Sequence, residues 1–119
     1  MPTVHPEAYQ DRPLTDGPGH LTPQHRNRIG AALVGTAPSW LVELHYDENG
    51  NANIIILADD LDDSIFPTLI VSTDQTIFRL EELRGGVHRT LCEPRTWRNL
   101  LRAVQIRVFW EVQASKTLH

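Results

Sequence analysis

Cys92 is the only cysteine of the chain, and a thiolate is the strongest nucleophile these side chains offer. It stands just ahead of a candidate helix, whose dipole favours the ionised thiol. A nucleophile also needs a base. His88 lies four residues earlier on the same candidate strand, and so on the same face. Four residues of strand span about 13 Å, too far for direct proton transfer. The two therefore read as a buried structural cysteine and a separate histidine. The six histidines (His5, His20, His25, His45, His88 and His119) show no zinc spacing, and one thiol cannot build a thiolate cluster. They are expected at the surface or across strands.

Oxygen ligands are more plentiful. Asp59, Asp60, Asp62 and Asp63 suit a hard cation by type, but they lack the fixed spacing and glycine of a calcium loop. Asp47, Asn49 and Asn51 repeat the first three ligands of a helix-loop-helix calcium site. Ala52 then stands where the invariant glycine belongs, and Ala58 where the bidentate glutamate belongs. A solvated loop and a hairpin turn are the expected readings. Gly85-Gly86 lies between strands rather than between a strand and a helix, so it is no phosphate cradle. No Gly-x-Ser-x-Gly elbow is present. No catalytic residue, metal or cofactor is expected.

What remains is a set of arginines. Ten of the eleven basic residues are Arg, a side chain suited to planar contacts with carboxylates and phosphates. Arg95, Arg98 and Arg102 form a stripe on the C-terminal helix, and Arg79, Arg84 and Arg89 precede them. A solvated or internally paired face is the expected reading, with protein docking and nucleic-acid binding as alternatives. The net charge of −4 and the single Lys weigh against nucleic acid.

The elements that position these groups follow from periodicity. Glu93 to Gln113 holds two of the three tryptophans and no glycine. On a helix, Trp97, Leu100, Leu101, Val104, Val108 and Val112 form one stripe. Val104 to Gln113 also alternates like a strand, yet roughly twenty residues without a turn signal favour a helix beginning at Pro94. Ile106, Phe109 and Trp110 then lie opposite the main stripe and need a second partner surface, with Arg107 and Glu111 at its rim. A symmetric homodimer, this end of the helix meeting its copy or the partner's sheet, is the economical expectation. The alternative is that Trp110 folds back under the N-terminal segment.

Thr22-Pro23 marks a first helix running to about Val34, with Ile29, Ala32 and Leu33 inward and Gly35 ending it. Trp40 to Ala58 reads as a hairpin turning at Asn49-Gly50. That centring pairs Leu44 with Ile55 and Val42 with Leu57 on a core face shared with Trp40 and Tyr46. Thr68 to Thr73 and Thr76 to Leu83 follow around Asp74-Gln75. Gly85-Gly86 turns the chain into Val87 to Cys92, opposing Leu80 to Leu91 and Glu82 to Arg89. The expected fold is α+β, a five-stranded antiparallel meander packed by an N-terminal and a C-terminal helix. Residues 1–21 are expected to be an irregular arm, rich in Pro and Gly, and residues 22–119 a single domain. In element order alone the chain resembles small acidic dimeric chaperones of secretion systems. Those usually insert a helix between the third and fourth strands, where this chain has Asp74-Gln75.

With 119 residues, 40% hydrophobic and 22% charged, the chain suits one soluble domain. No apolar run approaches a membrane span. No basic-then-apolar leader opens the sequence, and a lone cysteine fits a reducing compartment, so cytoplasm is expected. Residues 39 to 74 carry eight acids and no Lys or Arg, whereas residues 75 to 119 carry eight bases against four acids. Such asymmetry fits oppositely charged solvated faces, a head-to-tail contact between copies, or a docking surface. The expected function is a small non-enzymatic binding or regulatory protein, acting as adaptor, chaperone-like protein or inhibitor through protein–protein contacts. The alternatives are a small-molecule or enzymatic pocket between sheet and helix, lined by Trp40, Tyr46 and Trp97, and nucleic-acid binding through the arginine stripe.

Overall fold

The computed structural model of the chain describes residues 14–58 and 66–117. Helix α1 spans Pro23–Leu33, and β1 Leu41–Tyr46, β2 Ala52–Leu57, β3 Thr68–Thr73, β4 Phe78–Arg84 and β5 Val87–Cys92 follow before α2, Trp97–Thr117. The strands form one antiparallel sheet in the order β1-β2-β3-β4-β5. The α+β class, the meander and the two flanking helices are as the sequence leads one to expect. The acidic stretch 59–63 and residues 1–13 lie outside the described residues.

Both helices sit on one face of the sheet. Ile29 and Leu33 of α1 join Trp97, Leu100, Val104 and Val108 of α2 over Ile54, Ile56, Leu69, Val71, Phe78 and Leu80 in one buried cluster. By strand alternation the opposite face carries Leu41, Glu43, Ile55, Leu57, Ile70, Glu81 and Leu83. Among the described residues no element covers it.

The first hairpin differs by one residue from the expected pairing. Leu44 opposes Ile54 and Val42 opposes Ile56, so Ile54 and Ile56 are the buried pair, in place of Ile55 and Leu57. A two-residue turn at Asn49-Gly50 needs positive φ at both positions. Among the described residues only glycines have it, Gly50 at 81°. Asp47 decides the matter. Its Oδ1 accepts from the Asn49 and Asn51 amides at 2.8 and 2.9 Å, while the Asp47 amide donates to the Asn51 carbonyl at 2.9 Å. That closes a three-residue loop with only Gly50 left-handed. Tyr46, expected in the core, is 65% exposed, because it sits at the strand end beyond the reach of either helix.

The later turns hold more closely to expectation. Gly85 and Gly86 take φ of 56° and 81°, the two-residue turn that only glycines enter freely. They set Glu82 opposite Arg89. Beyond Glu81 a bulge shifts the register, so Leu80 faces Cys92 rather than Leu91. The bulge also moves Cys92 to the helix side, against the core. His88 stays on the opposite face, its Nε2 at 2.6 Å from Glu81. The two were expected on one face; the extra residue separates them.

Each helix is fixed at its start by residues upstream. α1 has Thr22 as N-cap, and the Thr22 amide donates to His25 Nδ1 at 3.0 Å, so an imidazole completes the capping box. His25 is buried, edge-on to Trp97 with ring centroids 4.7 Å apart, and not at the surface or across strands as expected. α1 ends without a left-handed residue. Gly35 is unused as a cap, and the Thr36 and Ala37 amides both donate to the Leu33 carbonyl. α2 starts at Trp97, three residues after Pro94. The Pro94 carbonyl is taken by the Phe78 amide at 2.8 Å, and Thr96 caps instead, its Oγ1 accepting from the Asn99 amide. Asp16 adds a second cap, its carbonyl and Oδ1 accepting from the Trp97 and Arg98 amides. Of the irregular stretch expected over residues 1–21, residues 14–21 are thus fastened, with Leu21 buried and Leu14 against the core.

Burial pushes the His25 imidazole below its ordinary value. The neutral ring is the folded form, and its Nδ1 must stay unprotonated to accept from Thr22. The unfolded chain therefore binds the extra proton first as pH drops below about 6.5. Stability contributed by this residue is complete above that pH and is lost as pH falls through the folded value. Urea titrations between pH 7 and 5 should show this loss. His25→Gln, which keeps a capping-box acceptor without a titratable ring, should flatten it; equal slopes for both proteins would contradict the assignment.

Candidate functional site

The outward side of α2 is the least satisfied apolar surface on the helix layer. Its inward stripe is complete: Leu100, Val104 and Val108 are fully buried, Trp97 nearly so, and Leu101 and Val112 pack at the margin. On the reverse side Ile106, Phe109 and Trp110 are 50, 47 and 64% exposed. Residues 106, 109 and 110 share one helical face by the 3.6-residue period. Phe109 and Trp110 already meet edge-to-face, centroids 6.4 Å apart. The expected helix across 104–113 is therefore present, and it places these three side chains together and in solvent.

Arg95, Arg98 and Arg102 are exposed as well. Among the described residues no carboxylate lies within ion-pair reach of them, whereas Arg79 pairs with Glu93 at 2.9 Å, and Arg84 and Arg89 pair with Glu82 at 3.8 and 3.0 Å. The arginines of β4 and β5 are thus internally paired, whereas Arg98 and Arg102 on α2 face water, as does Arg95, which was expected on the helix but lies two residues ahead of its start. The single acid of α2, Glu111, pairs with Arg84 and Arg107 on the sheet side, so the outward side carries none.

Arg107 and Glu111 do not rim this patch as expected. They point to the sheet, where Glu82 of β4 is 5% exposed. Its carboxylate receives Arg89 and Arg107, and Glu111 in turn takes Arg84 and, at 3.3 Å, Arg107. A buried carboxylate needs charged hydrogen-bond partners, and the helix supplies one a turn from Phe109 and Trp110. This cluster fixes the rotation of the distal half of α2 and hence the direction in which the patch faces. The Glu82–Arg89 pair was legible from the glycine turn; its continuation onto α2 was not.

Chemistry elsewhere is sparse. Burial pushes the Cys92 thiol up, away from the thiolate. Among the described residues no group of three or more His, Cys, Asp or Glu is placed to hold a metal ion. The aromatic trio of the alternative pocket is dispersed. Trp97 contacts His25 and Phe78, Trp40 contacts Phe66, and Tyr46 stands in solvent. A polar groove of about 610 Å³ runs between the hairpin tip and the β3–β4 turn, past Asp47, Asn51, Asn53, Ser72 and Asp74. Its two aspartates are committed to turns: Asp74 Oδ1 accepts from the Thr76 and Ile77 amides, as Asp47 does in the first hairpin. No helix among the described residues is long and apolar enough to cross a membrane. No protein-family model, curated protein or solved structure matches this chain.

Proposed function

We propose that this is a non-enzymatic protein that works through protein–protein contacts, and that the outward face of α2 is its contact surface. The observation that carries the reading is the exposed trio Ile106, Phe109 and Trp110 on a helix whose other side is already filled. Burying an apolar side chain of this size stabilises by roughly 1.5 to 3 kcal/mol. A preformed aromatic pair beside arginines has the composition of an interface centre. The occupant is a second copy of the chain. The sequence supplies both signs of charge in separate blocks, eight acids without a base over 39–74 and eight bases against four acids over 75–119, so the basic block of one copy can meet the acidic block of another.

Light scattering over a range of concentrations tests this directly. The native chain should associate at micromolar concentration, and Trp110→Asp, at an exposed site, should keep its melting temperature within about 4 °C and lose the association. A native chain that stays monomeric at high micromolar concentration would remove the second copy as occupant.

A further inference from the structure

We infer that the surface receiving the α2 patch is the outer face of the neighbouring copy's sheet, making the contact head-to-tail rather than symmetric. This rests on the contact surface proposed above and specifies its partner. The outer sheet face has the matching chemistry. Its middle row runs Glu43, Ile55, Ile70, Glu81 across β1 to β4: two isoleucines flanked by carboxylates. The neighbouring row on one side brings Leu41, Leu57 and Leu83, with Thr68 between the last two. With Glu93 paired to Arg79, Glu43 and Glu81 have only His45 and His88 as ion-pair partners among the described residues. The α2 face presents the complement, three apolar side chains next to Arg98 and Arg102 and no acid among them. Five strands at about 4.8 Å spacing give a platform that a helix of 21 residues can lie across.

A helix-to-helix contact would set two acid-free arginine stripes against each other and leave the apolar strip of the sheet in water. The helix-to-sheet contact covers both surfaces and pairs their charges. It cannot be reciprocal between two copies, because α2 and the outer face lie on opposite sides of the layer. Each added copy therefore leaves one helix face and one sheet face free, and the assembly either grows or closes as a ring.

The test uses two variants of the full chain, each disabled on one face. Phe109→Asp/Trp110→Asp removes the helix face. Leu41→Arg/Leu83→Arg, at exposed positions, removes the sheet face. Each alone should run as a monomer, and an equimolar mixture should form a species of two chains containing one of each, since a single intact contact remains between them. Native mass should rise past two chains with concentration or stop at a ring of three or more. If the sheet variant still forms a dimer and the mixture forms no mixed species, the contact is helix to helix and this inference fails while the contact surface stands. If the native chain never associates, the second copy is removed as occupant and the head-to-tail contact falls with it. Should a variant not fold, the native protein decides alone, because a mass that levels off at two chains overturns the head-to-tail arrangement.

Discussion

Glu82→Ala is expected to lower the unfolding free energy by about 1.5 to 3 kcal/mol, the cost of taking a shared charged acceptor from its arginine donors. Glu82 is the hub of the cluster that ties α2 to the sheet. Arg89 reaches it from β5 at 3.0 Å, Arg107 from the helix, and Arg84 from its own strand at 3.8 Å. Remove the carboxylate and Arg89 can swing to water, being largely exposed, whereas Arg107 is less than a third exposed. Its Nε is buried without a hydrogen-bond partner among the described residues, and only Glu111 would remain for its guanidinium. Replacing both ends, as in Glu82→Met/Arg107→Met, should cost less than Glu82→Ala alone, because apolar side chains of similar volume need no partners. Urea unfolding of the three proteins measures this. A single variant within 1 kcal/mol of the native chain would show that the cluster contributes no net stability. The single variant should also weaken self-association, since the distal half of α2 loses the contact that orients Phe109 and Trp110.

Much of the architecture was legible because local signals agreed. Thr22-Pro23, the α2 stripe and the glycine pair each name an element and a boundary, and the short turns force antiparallel neighbours. The outward trio was legible for the same reason, since a helix that fills one stripe leaves the opposite residues outside. What escaped depends on side chains that compete with the backbone. Thr96 and Asp16 outcompete Pro94 for the start of α2, the second of them 82 residues away from the amide it caps. His25 takes the place a Glu or Gln holds in a capping box, which no periodicity announces. The bulge after Glu81 and the descent of Arg107 onto Glu82 are tertiary facts. Both rearrange faces without changing any element's type.

The sharpest case is the first hairpin, where one residue of register exchanges the two faces of β2. Four consecutive apolar residues, Ile54 to Leu57, satisfy either register, so alternation alone cannot choose. The choice falls to Asp47, whose side chain holds the three-residue loop and turns Ile54 and Ile56 inward. Ile54→Ala should therefore cost about 2 to 5 kcal/mol, leaving a cavity against Leu44 and Val71 in a site with no exposed surface. Ile55→Ala, on the outer face, should cost less than half as much when measured in the Trp110→Asp background, which removes the contribution of assembly. A two-residue turn at Asn49-Gly50 would reverse that order. Asp47→Ala is the companion variant: it removes the carboxylate oxygen that accepts from the Asn49 and Asn51 amides, and a loss of about 1 kcal/mol per hydrogen bond is expected. If Ile55→Ala proved the costlier change, the outer face would be the buried one and the head-to-tail contact would lose its sheet partner.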